Sequence, residues 1–115
     1  MGKSLIAFLG IGRGSWGHVS RLISALEWDS ILLVSNEWGK EKFSAQKECE
    51  WLMINQKAPF DILLNQLTEK LPKGEIAISL VSGTGKEHMA LVAALKKEGR
   101  KFEIVTLTRD GVSFY

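Results

Sequence analysis

The chain is poor in several things, and each shortage excludes something. It has one cysteine, Cys49, so no disulfide can form within it, and the residue reads as a small, buried apolar side chain in a reducing compartment. Two scattered histidines, His18 and His88, leave no ligand set with zinc spacing, and no metal is expected. With 15 basic and 13 acidic residues the net charge is only +2, too small a field to call for duplex DNA or an anionic membrane. The N-terminal apolar run is too short for a signal peptide, and nothing approaches a membrane span. These absences point to a cytoplasmic protein. No linker, repeat or low-complexity segment interrupts the 115 residues, which suffice for one domain, taken as 1–115.

What is present is an alternation of apolar runs and apolar stripes. Ser4–Ile11 is a continuous apolar run, the pattern of a strand covered on both faces. Val19, Leu22, Ile23 and Leu26 then recur at helical spacing. Ile31–Ser35 is a second buried strand, followed by a loop over Asn36–Gly39. From Lys40 the spacing of Ala45, Cys49 and Leu52 predicts an exposed helix, with a short strand over Trp51–Asn55 as the alternative. After Pro59, the residues Phe60, Leu63, Leu64, Leu67 and Leu71 trace a helix that Pro72–Gly74 ends. Glu75–Val81 is a strand, and His88, Leu91, Val92 and Leu95 give the next helix its inner face, with Gly99 as its C-terminal cap. Lys101–Thr108 is a strand, and Asp110-Gly111 predicts a type I′ hairpin into Val112–Tyr115. Strands alternating with helices predict an α/β, Rossmann-like three-layer domain. Its sheet is mostly parallel, with helices on both faces and a C-terminal antiparallel hairpin strand.

In such sheets the ligand sits beyond the C-terminal strand ends, where the winding reverses. Two glycine-rich loops would meet there. The first, Gly10–Gly17, contains Gly12-Arg-Gly-Ser-Trp-Gly17, a match to G-x-G-x-x-G between a strand and a helix. It suits NAD or a mononucleotide, with Glu37 placed for the ribose, although Arg13 and Trp16 are bulky for a surface on which a pyrophosphate lies flat. The plain alternative is a turn that needs its glycines only for packing. The second loop, Ser82–His88, aims backbone N–H groups, a helix N-terminus and Lys86 at an anion. It is not a P-loop, because Leu80 stands where glycine is required and Glu87 where Ser or Thr would hold Mg²⁺.

Three stretches together carry a family resemblance: Ser30-Ile-Leu-Leu-Val-Ser-Asn-Glu37, Ala58-Pro-Phe-Asp-Ile-Leu-Leu64 and Ile76-Ala-Ile-Ser-Leu-Val-Ser-Gly-Thr-Gly-Lys-Glu-His-Met-Ala-Leu91. With them the chain resembles a CRISPR-associated Rossmann fold (CARF) domain over almost its whole length. The resemblance implies a symmetric homodimer that binds a cyclic oligoadenylate, the second messenger of type III CRISPR immunity. It also implies that some members cleave the ring without a metal or cofactor. Gly83-Thr-Gly-Lys86 corresponds to the family's Gly-Gly-Thr-Lys-like loop, and Lys86 keeps the phosphate-facing lysine. The hydroxyl expected soon after Leu9-Gly10 appears only at Ser15, a departure that touches cleavage more than binding. Most relatives carry an effector domain, so this chain would be a stand-alone sensor, ring nuclease or sequestering protein.

The ligand-binding candidates are therefore Gly12, Arg13, Gly14, Trp16, Asn36, Trp38, Ser82, Gly83, Thr84, Gly85 and Lys86. The catalytic candidates are Lys86 as the cation that stabilises transition-state charge, Ser15, and His88 as proton carrier, with His18 as its alternate. Lys86 opposes the helix dipole, so a purely structural role is unfavourable there. His88 shares the apolar stripe of its helix and reads equally well as a buried, hydrogen-bonded side chain, and Ser15 as a helix cap. Trp16 and Trp38 are the candidates for stacking on adenine, whereas Trp28 and Trp51 read as packing.

Overall fold

The computed structural model describes residues 2–115. Six strands form one sheet: β1 (Ser4–Phe8), β2 (Ser30–Ser35), β3 (Glu50–Met53), β4 (Ile76–Ser79), β5 (Phe102–Thr108) and β6 (Gly111–Phe114), in spatial order β3-β2-β1-β4-β5-β6. All neighbours are parallel except β5 and β6. The helices are α1 (Trp16–Ala25), α2 (Glu37–Lys42), α3 (Phe60–Lys70) and α4 (Gly85–Lys97), with one turn of 3₁₀ helix, Arg13–Ser15, ahead of α1.

The continuous apolar runs are explained by two cores, one on each face. Along β1, Leu5 and Ala7 join Val19, Leu22 and Ile23 of α1 on one side. Ile6 and Phe8 join Leu63 and Leu67 of α3 and Leu91 and Leu95 of α4 on the other. β1, β2 and β4 thus serve both faces with alternate residues, so apolarity without period 2 is the expected pattern.

Three local expectations are overturned. Asn36–Gly39 is not a loop: Asn36 caps α2, its side chain accepting from Gly39 N at 2.8 Å. Gly39 is tolerated inside this helix because the Ser35 side chain occupies the space a Cβ would need. The helix predicted from Lys40 through Leu52 ends with α2 at Lys42, and beyond it come a coil and β3, the strand alternative. Trp51 and Leu52 pack into opposite cores, and β3 pairs in parallel with β2. The hairpin is not type I′, since neither Arg109 nor Asp110 has positive φ. Gly111, the residue after this two-residue turn, does, at 109°, and the pairing runs without an extra residue from Val105↔Phe114 to Thr108↔Gly111. Gly99 caps α4 as expected: its φ is 65°, and Arg100 N donates back to Leu95 O at 2.8 Å in a Schellman motif.

Candidate ligand-binding site

Strand order reverses between β1 and β4, so the loops that leave these two strands emerge side by side. They touch backbone to backbone. Gly10 N donates to Ser82 Oγ at 2.8 Å, and a Cβ on Gly10 would stand 2.9 Å from Gly83 N. Gly83 is equally constrained, with φ 101° and a hypothetical Cβ 2.9 Å from both Phe8 Cβ and Glu87 Oε1. Glycine is required at these two points because any side chain would separate the loops. Gly12, Gly14 and Gly17 meet nothing within 4 Å. Their lack of a side chain serves no internal packing, and Gly17 lies within α1 rather than in the loop.

Between the loops lies an open cavity of about 260 Å³, lined by Gly10, Ile11, Gly12, Ser15, Gln56, Val81, Ser82, Gly83 and Thr84. A larger cavity of about 580 Å³ lies at the opposite ends of β4 and β5. Arg100 on its wall is committed to the carbonyls of Pro72 and Gly74 at 2.6 and 2.9 Å, and the end of the sheet is the wrong one for a ligand of this architecture.

Thr84 and Glu87 form a capping box at the start of α4: Glu87 N donates to Thr84 Oγ1 at 3.2 Å and Thr84 N to Glu87 Oε1 at 3.0 Å. The N–H groups of Gly83, Gly85 and Lys86 are left without a partner among the described residues, and a helix N-terminus of this kind is suited to an anion. Glu87 escaped the sequence reading except as a missing hydroxyl, although T-x-x-E before an apolar run is a cap signature. It is 2% exposed and its Oε2 has no hydrogen-bond partner among the described residues. Its carboxylate offsets the dipole from within, so net positive charge at the site has to come from side chains.

Lys86 and Arg13 supply that charge, but neither lines the cavity. Lys86 Nζ donates to Ala58 O at 2.8 Å and so ties α4 to the loop after β3. Arg13 is exposed, its guanidinium 5.4 Å from the ring centroids of both Trp16 and Trp38. Of the two stacking candidates, Trp16 belongs to the core. It is 7% exposed, its Nε1 donates to Gly10 O at 3.0 Å, and its ring packs against Phe43. Trp38, 39% exposed and 5.4 Å from Trp16, keeps its ring available.

Of the proposed catalytic groups, only Ser15 reaches the cavity. It is half-buried at the N-terminus of α1 and makes no capping bond, so its hydroxyl is unspent. His88 Nε2 is 2.7 Å from Ser82 O, with its ring edge-on to Phe8, and thus braces the second loop from behind. His18 lies elsewhere, accepting from Leu107 N of β5 at 3.2 Å; burial, with Arg21 nearby, lowers its pKa. The structure therefore gathers Gly12, Ser15, Ser82, Gly83 and Thr84 around the cavity and leaves Arg13, Gly14, Trp16, Asn36, Trp38, Gly85, Lys86 and His88 outside its lining. It adds Gly10 and Ile11 of the first loop, Val81 at the entry to the second, and Gln56, which stands in no motif.

No family model and no curated protein matches the chain. Among solved structures, Enterococcus italicus Csm6 bound to cyclic hexa-2′-fluoro-hexa-dAMP matches with a TM-score of 0.57 at 18% identity. The two share a fold. The match covers 98% of this chain and 35% of the Csm6 chain, so this chain spans about a third of its neighbour's length.

Proposed function

We propose that this chain binds a cyclic oligoadenylate, two copies of the chain closing around one ring. The observation that carries the reading is the joining of two glycine loops at the strand ends, beside unpaired N–H groups. It occurs on a fold shared with a protein solved with a cyclic adenylate hexamer. A cavity of about 260 Å³ is smaller than the roughly 300–1,000 Å³ of sites that enclose a drug-sized ligand, which suits half of a shared site. Ile11 and Val81 on its lining, and Met89 on α4, are large apolar side chains left exposed, as surfaces that meet a partner are. A second copy would double Lys86, Arg13 and the α4 N-terminus around the phosphates.

The chemistry supported is recognition rather than cleavage. Lys86 and His88 are committed to backbone carbonyls, and of the catalytic candidates Ser15 alone offers an unspent group to the cavity. The alternative of NAD or a mononucleotide on Gly12–Gly17 loses support because the third fingerprint glycine should permit close helix–strand packing, and Gly17 faces open space. Thermal unfolding with cyclic tetra-adenylate, cyclic hexa-adenylate, NAD and AMP, with reaction products followed, tests both readings. Stabilisation by a ring with the ring intact is expected. Stabilisation by NAD or AMP alone would replace this reading with the mononucleotide one.

A further inference from the structure

We infer that Gln56 selects adenine in the cavity between the two loops, an assignment that rests on the cyclic-oligoadenylate reading above. The other lining groups leave little to read a base with. Ser82 Oγ accepts from Gly10 N and Thr84 Oγ1 from Glu87 N, which fixes each hydroxyl in place and leaves it at most a single-point contact with a base. Ile11 and Val81 are apolar, and Ser15 offers one hydroxyl. Gln56 is half-buried, its carboxamide makes no hydrogen bond among the described residues, and it is the one lining side chain whose donor and acceptor sit on separate atoms, as a two-point base contact needs.

Its position is fixed by the chain around it. Lys57 N donates to Asn55 Oδ1 and Ala58 N to Asn55 O, both at 2.9 Å, closing a turn about Gln56. Ile54 N donates to Ser35 O at 2.8 Å on one side of that turn, and Lys86 Nζ holds Ala58 O on the other. A tethered backbone lowers the ordering cost of each contact the side chain makes. Lys86 thereby acts as a positioning residue for the wall that carries Gln56.

A carboxamide pairs in two-point fashion with adenine, accepting from N6–H and donating to N7. A 6-oxopurine presents acceptors at both positions and can satisfy only the amide N–H. Exposed Ile11 and Val81 offer apolar walls to the face of the same base.

The test is calorimetric binding of cyclic hexa-adenylate and cyclic hexa-inosinate, which differ at the exocyclic group on C6, to wild type, Gln56→Leu and Gln56→Glu. The wild type should prefer the adenylate ring by at least about 5-fold, the lower end for one bidentate base contact. Gln56→Leu should lose that preference, mainly through weaker adenylate binding, whereas Gln56→Glu, which keeps an acceptor for N6–H but has no donor for N7 or a 6-oxo group, should bind both rings more weakly and keep it. Equal wild-type affinity for the two rings would overturn the Gln56 assignment alone, without reliance on any variant folding. An unchanged preference in Gln56→Leu would do the same. A wild type that binds neither ring overturns this inference together with the proposed function.

Discussion

At the scale of single residues, the two glycine loops divide into glycines the fold requires and glycines it does not. Gly83 combines a φ of 101° with Phe8 and Glu87 at its back, so Gly83→Ala should cost about 1–3 kcal/mol in backbone strain, with steric cost added. Gly12 has φ −77° and open space around it, so Gly12→Ala should raise stability slightly, by up to about 1 kcal/mol, while placing a methyl group at the cavity. Denaturant unfolding of the two variants checks the contrast; equal losses would mean that the loops are not held as described. This division was not legible in the sequence, where G-x-G-x-x-G drew attention to Gly12, Gly14 and Gly17. The loop junction depends instead on Gly10 and Gly83, because backbone proximity between distant segments leaves no local pattern. Lys86 and Ser82 were legible as members of a strand–loop–helix junction. Gln56 was not, since a lone glutamine in a turn carries no periodicity and no motif.

Among the elements, the long ones announced themselves and the short ones did not. α3 and α4 span 11 and 13 residues, long enough for a helical stripe to repeat. β3 has four residues, and α2 has six with a glycine inside. In both, pairing with β2 and packing on Ser35 decided the outcome over local spacing. The contact between α1 and β5 has a pH dependence of its own. His18 Nε2 accepts from Leu107 N, lies 3.5 Å from Thr106 Oγ1, and has Arg21 on its own helix, an arrangement that suits the neutral ring. Its folded pKa lies below the unfolded value of about 6.5, so the unfolded chain binds the proton more tightly. The contribution to stability is complete above that value and is lost as pH falls below it, toward the lowered folded pKa. Unfolding measured between about pH 7.5 and pH 5 should therefore fall less steeply in His18→Gln than in the wild type. The difference should be no more than about 0.5–1.5 kcal/mol, the scale of one hydrogen bond in a partly exposed position. Identical pH profiles would show that the ring does not titrate against this contact.

For the molecule as a whole, the alternation of strand and helix was enough to predict a mostly parallel sheet with a reversal of winding, and β3-β2-β1-β4-β5-β6 places that reversal between the two glycine loops. What the alternation could not give is the size of the site, which follows from how closely Gly10 and Gly83 approach. The result is an open cavity with apolar side chains at its edge and cations outside its lining, which the proposed function reads as half of a site shared with a second copy. The stoichiometry of binding tests this most directly. Titration of the purified protein with the stabilising adenylate ring, followed by calorimetry, should give one ring for every two chains. Saturation at one ring per chain, or no heat of binding with either ring, would contradict the shared half-site.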